Sequence, residues 1–391
     1  MAGLFAGVEP LALADSYAFT TINYPGAIVT VPIGINNAGQ ISGYYENGPG
    51  SHGFLYNGGT FTTVDVPSAP GETSGAGINN TGLITGSYSD ATGTHGFVDN
   101  GGTFTPIDVP SATGFTVAFG INDSGLISGY YVDGTGNHGF LDNGGTFTIL
   151  DNPSATPGIT YALGINNPSQ IVGYYYDAAG YHGFLYSGGS FTTINHPSAP
   201  NSTVAFGINS GGQIVGYYID GSGQHGYVYS GGTFTTIDDP SATGGTTPTG
   251  INDAGLITGF YNDGTGSHGF LATPPPPPYV AAIQPPINSD GSGVFSAKRG
   301  VVPVKFTLTL NSTPTCQLPP ATVALTRTAG SAPGPIDESV FLLASDSGSN
   351  FRIDSCQYVY NLATGSLGPG TYLVQIKING NAVGSATFGL Q

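Results

Sequence analysis

The chain repeats itself six times. Gly-Ile-Asn begins at Gly34, Gly77, Gly120, Gly164, Gly207 and Gly250, and His-Gly-(Phe/Tyr) begins at His52, His95, His138, His182, His225 and His268. Both series advance by 43, 43, 44, 43 and 43 residues. A recurrence of this period means one supersecondary unit stacked on copies of itself, and it takes precedence over composition. Without it, 65 Gly and 29 Pro in 391 residues would read as low-complexity chain. Only 7% of residues are charged, against a usual ~25%, which leaves too few to dress the solvent faces of amphipathic helices. The composition is all-β.

Each unit carries four runs rich in Val, Ile, Tyr, Phe and Thr, separated by turn residues. In the fifth unit the runs are 203–209, 213–220, 225–229 and 233–238, parted by Ser210-Gly211-Gly212, Gly221-Ser222-Gly223 and Ser230-Gly231-Gly232. Glycine at those points supplies the positive φ of tight hairpins. Four antiparallel strands in about 43 residues make one propeller blade. The ends of the array point the same way. Residues 17–27 match a last strand with no unit before it, and the sixth unit stops at Ala272 without one. The N-terminal strand therefore completes the last blade and leaves no bare sheet edge. The expectation is an all-β chain: a six-bladed β-propeller over 17–272 closed by its N-terminal strand, a Pro-rich linker over 273–278, and an Ig-like β-sandwich over 279–391.

With its Gly-Ile-Asn-Asn-x-Gly-Gln-like turn and recurrent His-Gly-Phe, the unit resembles the HAF family of extracellular bacterial repeats, although this chain has His-Gly-Phe where that family has His-Ala-Phe. The resemblance covers residues 17–272 and implies a secreted or surface protein, without an established chemistry. Thr273 and the run Pro274 to Pro278 follow, a spacer that extends as polyproline II. Beyond it, strand-like runs at 301–310, 322–327, 351–353, 358–361, 371–378 and 384–390 alternate with Pro/Gly turns at sandwich spacing. The segment Arg299-Gly-Val-Val-Pro-Val-Lys-Phe306 and the ending from Gly370 to Gly389 are similar to the PxKF-type domain found at the C-terminus of secreted bacterial proteins.

Charge is segregated. All six Lys and Arg lie beyond residue 290, while residues 1–278 hold eighteen Asp and Glu and no basic residue. A surface without cations cannot neutralise phosphates, which excludes nucleic acid and anionic lipid as partners of the repeat region. No apolar run approaches the ~20 residues of a spanning helix, so membrane insertion is not expected. Residues 1–16 read either as the remnant of an export signal, with Ala12-Leu13-Ala14 as its small-residue cleavage site, or as a loose terminus. Cys316 and Cys356, the only cysteines, are expected to form a disulfide in an oxidising, extracellular or cell-surface setting.

Six histidines at one strand position, His52, His95, His138, His182, His225 and His268, invite a metal or catalytic reading. A residue that every blade carries is better explained by a task every blade has, here fixing the start of the third strand through a bond to a loop carbonyl. Blade-related residues also stand too far apart for one zinc. The recurrent Asn of Gly-Ile-Asn reads as a turn former, and paired tyrosines such as Tyr130-Tyr131 and Tyr217-Tyr218 read mostly as core. Asp133-Gly-Thr-Gly and Asp263-Gly-Thr-Gly are hairpin turns with at most weak calcium affinity, because the later acidic ligands of a calcium loop do not follow. No cofactor, no metal and no catalytic residue is otherwise assigned.

Function is expected where the units differ. Directly before the loop proline stand Val66, Val109, Asn152, His196, Asp239 and Tyr24. Four consecutive blades thus offer Asn152, His196, Asp239 and Tyr24 on the face of the second-to-third-strand loops, a candidate site for a neutral sugar or a cation. No nucleophile elbow, zinc-hydrolase His pair or Walker loop is present. The leading expectation is an extracellular binding or scaffold protein that recognises a neutral glycan or a cell-surface protein, with the C-terminal domain as spacer or attachment module. A carbohydrate-active lyase or hydrolase using His196 and Asp239, and a purely structural or filament protein, are the alternatives.

Overall fold

A computed structural model describes residues 17–48, 50–156, 158–275, 279–288, 290–296, 301–310, 313–316, 321–330, 351–365, 367–378 and 381–391. The export-signal reading of 1–16 and the end of the proline linker lie outside the described residues. Every regular element among the described residues is a β-strand. The chain divides into two compact units, one ending at Pro275 and the other taking up the chain after it.

In the first unit every repeat forms a four-stranded antiparallel array of the kind that makes a propeller blade; the second to fifth are separate sheets, and the first and sixth are joined by a parallel bridge between Val29 and Ser267. In the fifth repeat the strands are Thr203–Ile208, Ile214–Asp220, Gly223–Ser230 and Thr233–Thr236, within one to two residues of the expected runs. The Gly-Gly hairpins are built as the turn chemistry demands: Gly58 and Gly59 have φ of 54° and 98°, positive at both central positions. The fourth strand of the sixth repeat comes from the other end of the array. Ala18–Ile22 pairs antiparallel with Ser267–Thr273, Ala18 opposite Thr273 and Ile22 opposite Gly269.

Each sheet buries one large ring on its third strand: Phe54, Phe97, Phe140, Phe184, Tyr227 and Phe270 are all fully buried. Removing such a ring typically costs about 3–5 kcal/mol, so these side chains dominate the packing. Tyr227 is accommodated because its hydroxyl donates to the Val204 carbonyl at 3.1 Å. The glycine directly across from the ring is equally constrained, since a Cβ on Gly259, the register partner of Phe270, would meet that ring at 2.8 Å.

In the second unit two sheets share one core. Tyr279–Gln284, Val301–Leu310, Gln357–Ala363 and Arg352–Asp354 form one sheet, with Thr313–Thr315 paired to Val301–Leu310. Val294–Phe295, Asn381–Leu390, Gly370–Ile378 and Ala321–Ala329 form the other. Alternate residues of Gly370–Ile378 are buried, the period-2 signature of a sheet with one covered face. Phe306, Tyr358, Val374 and Phe388 meet in the core. Cys316 and Cys356 form a disulfide across 40 residues of sequence, a cross-link that contributes roughly 4 kcal/mol by the chain-entropy estimate and persists in oxidising surroundings.

Candidate functional site

The repeats meet along their first strands, and glycine sets how closely. A Cβ on Gly164 would stand 2.5 Å from the Phe206 carbonyl oxygen of the next repeat, and one on Gly250 would stand 2.5 Å from Ile33 O of the first. Beside these glycines Ile35, Ile78, Ile121, Ile165, Ile208 and Ile251 narrow an axial cavity of about 70 Å³. That is room for a few waters and far short of the ~300 Å³ of a ligand pocket.

The recurrent Asn does more than form its turn. Asn36 Oδ1 accepts the backbone N–H groups of Ala38 and Gln40, as expected, but its Nδ2 donates to the Asn79 carbonyl of the next repeat at 3.1 Å. The same bond runs from Asn79 to Asn122, Asn122 to Asn166, Asn166 to Asn209, Asn209 to Asn252, and from Asn252 back to Asn36. All six side chains are buried, and each spends its acceptor within its own repeat and its donor on the next. This cycle escapes a sequence reading because the turn alone accounts for the residue. It links each repeat to the next at this face, where the six amides line a second cavity of about 60 Å³.

The recurrent histidines stand on the opposite face. His138 Nδ1 lies 3.0 Å from Asp151 at the end of the outer strand, and its Nε2 lies 3.2 Å from Asp133 in the second-to-third turn. His95, His225 and His52 are held similarly; His182 and His268 use Asn195 and Asn23 in place of the outer-strand aspartate. The partner is thus a side chain and not the expected loop carbonyl. The turn carbonyl of Gly136 is already taken by Asp133 N. His95, His138, His182, His225 and His268 each strap a hairpin turn to the outer strand of their own sheet, and His52 is tied to the outer strand through Asp65.

In the fifth repeat this strap has the outline of a hydrolase triad: Ser222 Oγ is 2.9 Å from His225 Nε2, and His225 Nδ1 is 2.7 Å from Asp238. The proton balance differs. Ser222 Oγ donates to Asp220 at 2.6 Å, so its proton is directed to a carboxylate and not to the imidazole. Thr92, Thr135 and Thr265 repeat the arrangement, which fits a turn shared by several repeats.

Hydroxyl and backbone donors hold the turn carboxylates ionised. Asp133 and Asp263 are brought down to about 2, chiefly by the hydroxyls of Thr135 and Thr265, and Asp90, Asp177 and Asp220 are lowered in the same way by their turns. A carboxylate depressed on folding adds stability that is complete above its unfolded value near 3.8 and is lost as pH falls towards 2. Asp99 and Asp142, raised by burial, act with the opposite sign. The melting temperature is therefore expected to fall between pH 4 and 2. Asp133→Asn with Asp263→Asn should flatten that slope in a pH series of thermal melts. Asp133 Oδ1 and Asp263 Oδ1 are engaged by backbone, hydroxyl and imidazole; among the described residues no group of three or more His, Cys, Asp or Glu is placed to hold a metal.

The structure does not bring Asn152, His196, Asp239 and Tyr24 together. In all six repeats the residue at this position donates its backbone N–H to the Thr that opens the next first strand, as in Asn152 to Thr160 and His196 to Thr203. Asn152, His196 and Asp239 each also accept the N–H two residues on, from Ser154, Ser198 and Ser241. Asn152 and Asp239 are buried. Tyr24 stacks on Tyr45 at 3.5 Å, and His196 stacks on Tyr218 at 3.7 Å, with burial lowering the imidazole's pKa. Val66 and Val109 pack in the same place against Tyr88 and Tyr131. The position caps a turn in every repeat, and Tyr24, His196, Val66 and Val109 also pack against a tyrosine of the second strand.

The paired tyrosines divide. The second of each pair, such as Tyr131, Tyr175 and Tyr218, is core, as expected. The first, including Tyr130, Tyr174 and Tyr217, is only half-buried. The fourth repeat adds Tyr161, Tyr176 and Tyr181, and the last two are 37% and 41% exposed. Their signal in the sequence was the departure of one repeat from the other five.

No protein-family model matches the chain, and no curated protein sequence matches it. Among solved structures it is similar to a luciferin-regenerating enzyme, at 11% identity over 66% of this chain and 95% of that one, with a TM-score of 0.43. It is similar to a gluconolactonase from Xanthomonas campestris at 12% identity, 67% and 90% coverage and a TM-score of 0.42. A third similarity is to the fungal Aleuria aurantia lectin, a six-bladed β-propeller that recognises fucose, at 16% identity, 53% and 78% coverage and a TM-score of 0.37. At such identities the chemistry of this chain rests on its own residues.

Proposed function

We propose that residues 17–275 form a closed six-bladed β-propeller that serves as the recognition head of a secreted or cell-surface binding protein. Its ligand is a neutral glycan or another non-anionic partner, and the C-terminal unit is an Ig-like spacer or attachment module. The repeat and the C-terminal segment are HAF-like and PxKF-like on this reading. One observation carries it: the face of the second-to-third turns presents ionised carboxylates, hydroxyls and tyrosines with no cation anywhere in the first 278 residues. Such a face repels anions within about a Debye length, ~8 Å at physiological salt. The disulfide supports an oxidising compartment. Catalysis through His196 and Asp239 has no support, since both side chains are occupied in their own turns.

The test is a glycan array probed with the full chain, and a sugar-release assay on the same preparation. Retention by neutral glycans that is insensitive to salt is the expected result. Retention only by anionic glycans, or release of sugar, overturns the reading.

A further inference from the structure

We infer that the tyrosines of the fourth repeat form the ligand-binding surface, and that they take a neutral oligosaccharide by stacking and hydroxyl bonding. This rests on the recognition reading above and assigns its site.

The register collects the rings. Tyr161 pairs with Tyr174 across the first two strands, and Tyr176 pairs with Tyr181 across the next two. Because strand residues alternate faces, Tyr174 and Tyr176 point the same way, and all four tyrosines share one face of one sheet. Tyr130 of the third repeat meets Tyr161 edge-on at 4.8 Å; Tyr161 stacks on Tyr174 at 4.7 Å; Tyr181 follows at 6.1 Å and Tyr176 at 4.9 Å from it. The result is a continuous aromatic ladder that leads from a half-buried junction between two repeats out to exposed rings.

The other repeats show that the fold does not need it. Where the fourth has Tyr161, the others have Val31, Ser74, Val117, Val204 and Thr247. In place of Tyr181 they have Ser51, Thr94, Asn137, Gln224 and Ser267. Six sheets of the same topology therefore form with or without aromatic side chains here.

Three of the core rings spend their hydroxyls within the fold. Tyr175 and Tyr218 bond Thr193 and Thr236, and Tyr227 bonds Val204 O. Among the described residues, the hydroxyls of Tyr130, Tyr161, Tyr174, Tyr176 and Tyr181 make no hydrogen bond to the protein, so each keeps a donor and an acceptor for a ligand. Burial raises Tyr130 to about 12, which keeps its phenol neutral at any physiological pH. A pyranose offers a C–H face to a ring and hydroxyls to phenols, the two things this ladder presents. Asp177, in the turn between Tyr176 and Tyr181, is lowered by the Ala179 N–H and stays ionised, which disfavours an acidic sugar.

The experiment is calorimetric titration of the full chain with cellohexaose, xylohexaose, laminarihexaose and mannohexaose, with hexagalacturonate and a decaproline peptide as comparisons. Variants Tyr161→Val and Tyr181→Ser install residues that other repeats carry at these positions, so the sheet should form, as melting curves verify. Ile219→Ser, at the position equivalent to Tyr176 in the fifth repeat, is the control. At least one neutral hexasaccharide should bind and perturb the tyrosine absorbance of this Trp-free chain. Each tyrosine variant should lose about tenfold in affinity and the control none. Wild-type affinity in both variants, or binding without a tyrosine signal, overturns the ladder and leaves the recognition reading standing. Binding of decaproline alone overturns the saccharide assignment. Binding of hexagalacturonate alone overturns the ladder and the recognition reading together.

Discussion

Deletion of residues 1–24 should abolish the cooperative unfolding of the repeat unit. Ala18–Ile22 is the outer strand of the sixth sheet, and without it Ser267–Thr273 becomes an open edge. The loss includes the buried Ile22, the edge-on contact of Phe19 with Phe270 at 5.2 Å, the Asn23 bonds to His268 and Gly269, and the Tyr24 stack on Tyr45. A single Ile or Phe truncation costs about 2–5 kcal/mol, so the sum rivals the ~5–15 kcal/mol that holds a typical domain together. The exposed strand would also template association between chains. Calorimetry should show the first transition lost or broadened, with aggregation on heating. A truncated chain that melts like the parent would mean that the strand does not close the array.

Gly164→Ala should destabilise the repeat unit through one added methyl group. Its Cβ would lie 2.5 Å from Phe206 O and 3.0 Å from Gly207 Cα, both backbone atoms that no rotamer change can move aside. The first strands of two repeats must separate, and two residues on, Asn166 donates to Asn209 O at 2.9 Å in the cycle that binds the repeats. Overpacking of this kind costs about 1–3 kcal/mol and occasionally more. For a unit of this size that corresponds to roughly 5–10 °C in melting temperature. Gly134→Ala is the control: nothing lies within 4 Å of its Cβ, and its melting temperature should not move. Equal melting temperatures for the two variants would refute close packing at the axis.

The period was legible because each repeat must solve the same local problems. Gly58-Gly59 reads as a turn of positive φ, and the Ile-, Val- and Tyr-rich run Ile214–Asp220 reads directly as a strand, buried on both faces at Ile214 and Val215. Tyr130-Tyr131 shows the limit of that reading. Alternation puts the two rings on opposite faces, but which face the neighbouring repeat covers fully depends on how the sheets stack, and only Tyr131 is core. Asn152, His196 and Asp239 looked like a cluster because they vary together. Their partners, however, are the adjacent backbone and, for His196, the Tyr218 ring, which a spacing argument does not see.

By itself, then, the sequence determined what local chemistry determines: six equivalent four-stranded units, their turns, the strand missing from the sixth unit and present before the first, and a repeat region without Lys or Arg. The tertiary structure alone decided which side chains are spent on neighbours and which keep an open hydrogen bond. The Asn36 amide is consumed by a carbonyl 43 residues away, whereas the hydroxyls of Tyr161 and Tyr174 are not consumed at all. The difference is physical: a turn or a strand follows from interactions between residues close in sequence, but an open hydrogen bond is defined by the distance to every other group in the folded chain.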